Sequence, residues 1–424
     1  PRLRKLSSSA SIRAERLFET AQYYQTAKTG MDENRGHKVM NNVVLFTPVA
    51  SGEERMALCL GELASLEEQV QDGVARAADA TVESLSLRRD RDHPEMVRLI
   101  ASVRRRKVLQ LERAAATRDV LAGLFERGLD RAMRSPHHVT KSDVQTLLRP
   151  VSGGQYLVNA LLRDFGPDAL TPENDLVLNT LARHAAPNRR YTVLVPGAGV
   201  AGMSALIART LVKEDESSGL NAIVVDAVDT SLPSLALGAG ILRAQAEVTS
   251  ANSFRIFPDA SLTGLLRVAG SEEADPSEDG GVSVSPWTPP ADGQGDGQGA
   301  EHGGGGALPQ GALLRLWHAA FRPGSLPNLP PRHACVTRFF LDAVPDVFQA
   351  VDAVHARLCA SGLWINLGPL KYHGYHARGP RPTWEEIRTF ATRVLGFTLL
   401  EEKVLDRVSY FRGHEGSNAS VLGE

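Results

Sequence analysis

From Glu53 to Leu148 apolar residues recur at three- and four-residue steps, as in Met56, Cys59, Leu60, Leu63, Leu66, Val70 and Val74. That spacing places one apolar stripe along a helix and predicts an all-α region. A second helix carries Val97, Ile100, Val103, Val108 and Leu111, with the run Arg104-Arg105-Arg106-Lys107 as its solvated face. Pro136, followed by His137 and His138, breaks the helical series, and Thr140 with Asp143 reads as the cap of another helix. No third ligand is placed near the two histidines, so they read as loop. The period changes at Tyr191, where Tyr191-Thr192-Val193-Leu194-Val195 is a short buried-strand run ending in glycines. Further strands are expected at Ala222 to Val228, Ala334 to Leu341, Leu363 to Leu367 and Phe397 to Val404, with helices at Met203 to Val212 and Val344 to Ala360. Strands alternating with helices predict an α/β fold with a parallel, doubly wound sheet. The expected organisation is a poorly ordered segment over 1–50, a helical region over 51–190 and a Rossmann-like domain over 191–424. Within that domain 270–311, rich in Gly, Pro, Asp and Glu and without Lys or Arg, reads as a disordered acidic insertion.

Composition narrows the class. An apolar share of 42% in 424 residues is enough for a real core. A net charge of -2 gives no global attraction to nucleic acid or anionic lipid. No apolar run reaches the roughly 20 residues that span a bilayer, so a soluble chain without nucleic-acid or membrane partners is expected. The three cysteines, Cys59, Cys335 and Cys359, lie far apart without paired spacing. That fits a reducing, cytoplasmic compartment; the nucleus, or an organelle reached through the basic, serine-rich start, is left open.

The chemistry begins at Val193-Leu-Val-Pro-Gly-Ala-Gly-Val-Ala-Gly-Met203, a Gly-x-Gly-x-x-Gly pattern after a strand and before a helix. Gly197 and Gly199 allow backbone angles and close approach that a side chain would block, so an adenosine-containing cofactor can lie on the turn. The next strand ends near Asp226 and Asp229, where a carboxylate can accept hydrogen bonds from ribose hydroxyls. Two cofactor classes remain open at this point. The string Gly-Ala-Gly-Val-Ala-Gly-Met-Ser resembles the opening of flavin-dependent oxidoreductases, with a pyrophosphate at the helix N-terminus. S-adenosylmethionine has no phosphate and needs only the first glycines and the ribose acid.

The C-terminal third holds Arg338-Phe339-Phe340-Leu341-Asp342 and then Gly362-Leu363-Trp364-Ile365-Asn366-Leu367-Gly368-Pro369-Leu370-Lys371-Tyr372-His373. These strings resemble the carnosine N-methyltransferase family, also called N2227-like proteins. Leu194-Val-Pro-Gly-Ala-Gly199, Asp229-Thr230-Ser231, Phe257-Pro258-Asp259 and Leu162-Arg163-Asp164-Phe165 are similar to further segments of that family. The resemblance implies a Rossmann-like, S-adenosylmethionine-dependent methyltransferase sheet behind an N-terminal helical region. The implied reaction is methyl transfer to an imidazole nitrogen of a histidine-containing dipeptide, carnosine giving anserine. It implies Arg163, Gly197, Gly199 and Asp229 as cofactor contacts, Asp342 and His373 as acceptor-binding residues, and no metal. Self-association is left open.

The sequence also departs from the family. Ala160 stands where the family has a cofactor-binding Gln, Ala201-Gly202 replaces Gly-Arg, and Val344-Pro345 replaces Ala-His. Gly311-Ala312-Leu313 is the nearest counterpart of a Gly-Asp-Phe segment whose Asp holds the adenosine, and the chain given ends at Glu424, before the family's tyrosine-rich last strand. A catalytically degenerate protein that keeps the fold as a binding or scaffold module is therefore the second expectation.

Overall fold

The computed structural model describes residues 42–49, 51–88, 92–134, 147, 154–166, 172–184, 190–212, 222–247, 254–256, 282–284, 308–309, 311–326, 329–372, 381–405, 408–409 and 421–422. Two long helices, α1 (Gly52–Ser86) and α2 (Pro94–Leu129), form an antiparallel hairpin. Ser51 accepts the Glu54 backbone N–H at 2.9 Å and caps α1, while Pro94 opens α2, where a missing N–H removes no helical bond. Leu63 and Leu66 carry the predicted α1 stripe into the core, but in α2 only Val103 of the expected stripe is buried, Val97 and Val108 are exposed, and Leu121 and Phe125 nearer the helix end make the core contact. In the basic run, Lys107 pairs with Asp79 of α1 at 2.8 Å on the surface.

Shorter helices follow: α3 (Gly154–Phe165), α4 (Pro172–His184), α5 (Gly202–Thr210), α6 (Leu232–Glu247), α7 (Val347–Arg357) and α8 (Trp384–Thr389). Helices α2 and α6 cross at backbone distance. A Cβ on Gly128 would lie 1.7 Å from the Ala236 carbonyl oxygen, and one on Gly240 would lie 2.0 Å from that of Leu124. Arg243 of α6 then donates to the carbonyls of Arg127 and Gly128 at the end of α2 and to Val43. A guanidinium there satisfies carbonyls the helix end leaves open.

Seven strands form one sheet: β1 (Val43–Thr47), β2 (Met133–Arg134), β3 (Tyr191–Pro196), β4 (Ile223–Asp229), β7 (Ala312–His318), β8 (Arg332–Arg338) and β9 (Leu358–Leu367). The short strands β5 (Phe254–Ile256) and β6 (Val282–Val284) pair apart from it. The order across the sheet is β2-β1-β7-β4-β3-β8-β9, and every pairing is parallel. Val193, Val225, Leu314 and Val336 face the core shared with Leu63, Phe125, Leu161 and Leu235, whereas Leu194, Val228 and Cys335 face Val354 of α7. The sheet is covered on both faces, as its near-continuous apolar strands require. The chain leaves β3 for β4 on one side and returns to β8 on the other, so the topological switch point lies between β3 and β8. Ligands of open α/β sheets bind outside the strand C-termini at such a point.

Two expectations are corrected. Residues 1–50 are not poorly ordered throughout: Val43–Thr47 is a sheet strand, paired with β7 from Val43↔Leu314 to Phe46↔Trp317. The expected strand from Phe397 to Val404 does not form; 397–405 has no regular structure. Its charges are held sideways instead, Glu401 by Arg183 at 3.4 Å and Glu402 by Arg388 at 3.1 Å, while Leu400 and Val404 remain exposed. Pro136 to Asp143, Phe257 to Asp259, His373 and, apart from 282–284, 308–309 and Gly311, the acidic insertion lie outside the described residues. Among the described residues no helix is long and apolar enough to cross a membrane.

Candidate functional site

The turn after β3 is tightly determined. Gly197 and Gly199 sit at φ +65° and +55°, where a side chain is strained. A Cβ on Gly197 would lie 2.4 Å from the Phe340 ring, so the loop after β8 seals the turn from below. Gly199 is more open, its nearest atoms being an Arg163 guanidinium nitrogen at 3.3 Å and the Tyr156 hydroxyl at 3.8 Å from a would-be Cβ.

The third glycine does something else. A Cβ on Gly202 would fall 2.3 Å from Cβ of Asp164, and the Gly202 N–H donates to the Asp164 carboxylate. The N-terminus of α5 thus already faces an anion from α3, in the position that a flavin pyrophosphate would need. That removes the support which Gly-x-Gly-x-x-Gly lent to the flavin alternative.

Asp164 is held by two guanidinium groups. Arg163 Nε lies 2.6 Å from Oδ1 and Arg163 NH2 3.0 Å from Oδ2, and Arg338 NH1 reaches Oδ1 at 3.2 Å. Burial pushes the Asp164 carboxyl upward, but the two arginines and the Gly202 N–H outweigh it and hold the group below the usual carboxylate range.

Of the two acids expected near the end of β4, one is excluded. Asp226 is fully buried and accepts from Arg315 at 2.7 and 2.8 Å, from Arg332 at 2.7 Å and from the Trp317 indole at 2.8 Å. It belongs to a structural cluster within the sheet. Asp229 stands at the strand end and accepts the Gly199 N–H at 2.8 Å on one oxygen and the Ser231 N–H at 2.8 Å on the other. Burial raises its carboxyl above the ordinary range, against those backbone donors and the nearby Arg163.

Across the sheet Asp229 is in register with His318, the last residue of β7. His318 Nε2–H donates to the Thr230 carbonyl at 3.2 Å, and Nδ1 shares a 2.9 Å hydrogen bond with the Thr47 hydroxyl of β1. Burial pushes this imidazole down to about 4, against the Thr230 and Leu147 carbonyls. Between that value and the ordinary one near 6.5 the unfolded chain binds a proton that the folded chain refuses, so stability grows as pH rises through the window. Acidification across it is expected to cost about 3 kcal/mol through His318; thermal unfolding at pH 7 and pH 4.5 should show a steeper loss in the unaltered chain than in His318→Asn.

On the other side of the switch point β8 ends at Arg338, and Phe339 turns at φ 51° into a single 3-10 turn, Leu341–Ala343. Asp342, 5% exposed, accepts the Lys371 N–H at 3.3 Å and so joins the loops after β8 and β9. The Trp364 indole donates to the Thr337 hydroxyl at 3.0 Å, which donates to Asn366 at 2.9 Å. Two members of the string Trp364 to His373 therefore pin β9 to β8 and aim the loop that follows. The Tyr372 hydroxyl donates to the Pro382 carbonyl, and its phenol is raised by burial and by the fields of Asp342 and Glu386.

The structure thus brings Arg163, Gly197, Gly199 and Asp229 together and sets Asp342 across the switch point. Ala160 is fully buried in the main core. Gly311-Ala312-Leu313 opens β7 at the sheet edge away from the turn, so it cannot line the site; the residues that border it are His318, at the end of β7, and Ala319-Ala320-Phe321 after it. Sequence reasoning missed Tyr156, His318 and Arg338 as neighbours of the turn. Only Arg338, standing directly before the Phe339-Phe340-Leu341-Asp342 match, carried a local signal.

A parallel doubly wound sheet, a glycine turn after β3 and an acid at the end of β4 define a Rossmann-like α/β fold compatible with methyltransferases. Residues 328–419, which carry β8, α7 and β9, match the family model described as carnosine N-methyltransferase. The resemblance read from the sequence is met over that segment, and the match is to a methyltransferase family. No curated protein matches the chain.

Proposed function

We propose that the chain is an S-adenosylmethionine-dependent N-methyltransferase whose acceptor is an imidazole nitrogen of a histidine-containing dipeptide. The observation that carries this reading is the convergence of Gly197, Gly199, Asp229 and Asp342 at the C-terminal ends of three neighbouring strands. The residues fit the methyl donor: beside Gly199 a Cβ would meet only the side-chain ends of Arg163 and Tyr156, and Asp229, an acid that already orders the turn, stands at the strand end from which it would reach a ribose. Gly197 and Gly199 would let an adenosine lie close, Asp229 would take ribose hydroxyls on lone pairs its backbone donors leave, and Arg163 would reach the same ligand from α3. The bound donor would supply a methyl group on a sulfonium centre.

What remains for the protein is alignment, which supplies much of the rate in a displacement. A neutral imidazole nitrogen is already nucleophilic. Asp342 would orient the ring by accepting its N–H and stabilise the positive charge that grows on it, and His373, as the family resemblance implies, would be a second acceptor contact. We place the protein in the cytoplasm.

A second reading, a binding protein without turnover, is favoured by the end of β7, where Ala319 and Ala320 leave no carboxylate facing the site. Calorimetric titration of the full chain with S-adenosylmethionine, followed by an assay with carnosine and labelled donor, separates the two. Binding and turnover are expected. Binding without turnover would favour the second reading, and no binding at millimolar ligand would sink the enzyme reading.

A further inference from the structure

Directly before α6 a single peptide unit carries the geometry of the candidate donor site, and it is held from both ends. We infer that His318 is a positioning residue for the methyl donor: by holding the Thr230 carbonyl it fixes the peptide plane whose other end, the Ser231 N–H, holds Asp229. The inference rests on the methyl-transfer reading and adds to it a residue that touches neither donor nor acceptor.

The Thr230 C=O and the Ser231 N–H belong to one planar amide, so they turn together. The N–H end donates to Asp229 Oδ1 at 2.8 Å, and the carbonyl end accepts from His318 Nε2 at 3.2 Å. On the helix side Ser231 is already fixed, its carbonyl accepting the Leu235 N–H at 3.2 Å and its hydroxyl oxygen the Ser234 N–H at 3.2 Å. On the strand side the Asp229 carbonyl accepts the Ala319 N–H at 2.9 Å. The Thr230–Ser231 amide is the joint between these two fixed points, and turning it over would take the Ser231 N–H away from the carboxylate. Asp229 would keep the Gly199 and Thr230 N–H groups, but Oδ1 would lose its 2.8 Å donor and with it the aim of the carboxylate. A carbonyl can only accept, so Nε2 carries the ring proton, and Nδ1 of the neutral imidazole accepts from the Thr47 hydroxyl at 2.9 Å. The Thr47 oxygen is itself met by the Val49 N–H at 3.2 Å. Both side chains are buried, Thr47 fully, where a hydrogen bond left unmade is not recovered from solvent. Strand β1, on the far side of β7 from β4, thereby sets the ring that sets the ribose acid.

Calorimetry of the full chain with S-adenosylmethionine, joined to steady-state kinetics with carnosine, tests this with two replacements that divide the functions of the ring. His318→Asn places its amide where Nδ1 stands and can still meet Thr47, but it does not reach Thr230. His318→Gln extends to the Nε2 position and can donate to the Thr230 carbonyl. Donor affinity is expected to fall about tenfold in His318→Asn and to return to within about threefold of the unaltered chain in His318→Gln. KM for carnosine at saturating donor should be unchanged in both, since Asp342 lies across the switch point. A histidine that serves stability alone would lower the thermal midpoint of both variants and leave donor affinity, measured well below that midpoint, intact. That result would overturn the inference while the methyl-transfer reading stands, as would equal losses of affinity in the two variants. Thr47→Val, which removes only the hydroxyl that orients the ring, decides the matter should His318→Asn fail to fold: donor affinity should drop about threefold or more and recover in Thr47→Ser, and an unchanged affinity in Thr47→Val would overturn the inference. An unaltered chain that binds no donor removes the methyl-transfer reading, and the inference with it.

Discussion

Asp164→Ala is expected to destabilise the chain by about 3–5 kcal/mol. The substitution deletes one carboxylate and leaves the guanidinium groups of Arg163 and Arg338, both nearly buried, without the anion that joins them. It also withdraws the acceptor facing the Gly202 N–H at the start of α5. Urea unfolding followed by tryptophan fluorescence measures the loss. Asp119→Ala is the control: Asp119 also pairs with an arginine, Arg118, at 2.8 Å, but its side chain is 62% exposed, so a change within about 0.5 kcal/mol is expected. Equal effects of the two variants would contradict the picture of a buried keystone under the turn. Because the Asp164 carboxyl is held below its ordinary range, its contribution is present above the unfolded value near 4 and disappears as pH falls through the folded one.

Asp342→Asn is expected to lower turnover on the order of 10²–10⁴-fold, with affinity for S-adenosylmethionine little changed. An asparagine oxygen can still accept the Lys371 N–H that now holds the loop after β9, so the geometry survives. What goes is the negative charge, and with it the stabilisation of a ring turning cationic. Steady-state kinetics with carnosine and calorimetry with the methyl donor check the two halves. Full turnover in the variant would remove Asp342 from the chemistry; loss of donor binding together with turnover would mean that it acts on the fold of the site.

Much of the sheet was legible because each central strand is a short, nearly unbroken apolar run. β3 and β4 fall within a residue or so of expectation. β8 is shorter than its apolar run, ending at Arg338, because Phe339 takes a left-handed turn that a sequence of aromatics does not announce. β1 was lost: five residues with no local partner become a strand only when β7 arrives beside them. Phe397 to Val404 failed the opposite way: its residues are strand-like, yet it pairs with no strand among the described residues. In the site, Gly197 and Gly199 could be read from spacing, but between Asp226 and Asp229 spacing could not choose and only the family resemblance pointed to Asp229. The choice depends on Arg315, Arg332 and Trp317 closing on Asp226 from strands far along the chain. Gly202 was legible as a glycine and misleading as a sign, since its neighbour is a carboxylate of α3 rather than a phosphate.

The pairing of β1 with β7 also bears on how the chain is made. Thr47 and the histidine it holds are 271 residues apart, and at about 5–20 residues per second the ribosome needs on the order of tens of seconds to bridge them. Until then Val43 and Leu45 lack the strand beside which they pair. The rim of the site beside Asp229 therefore closes only when two segments 271 residues apart in the chain have met.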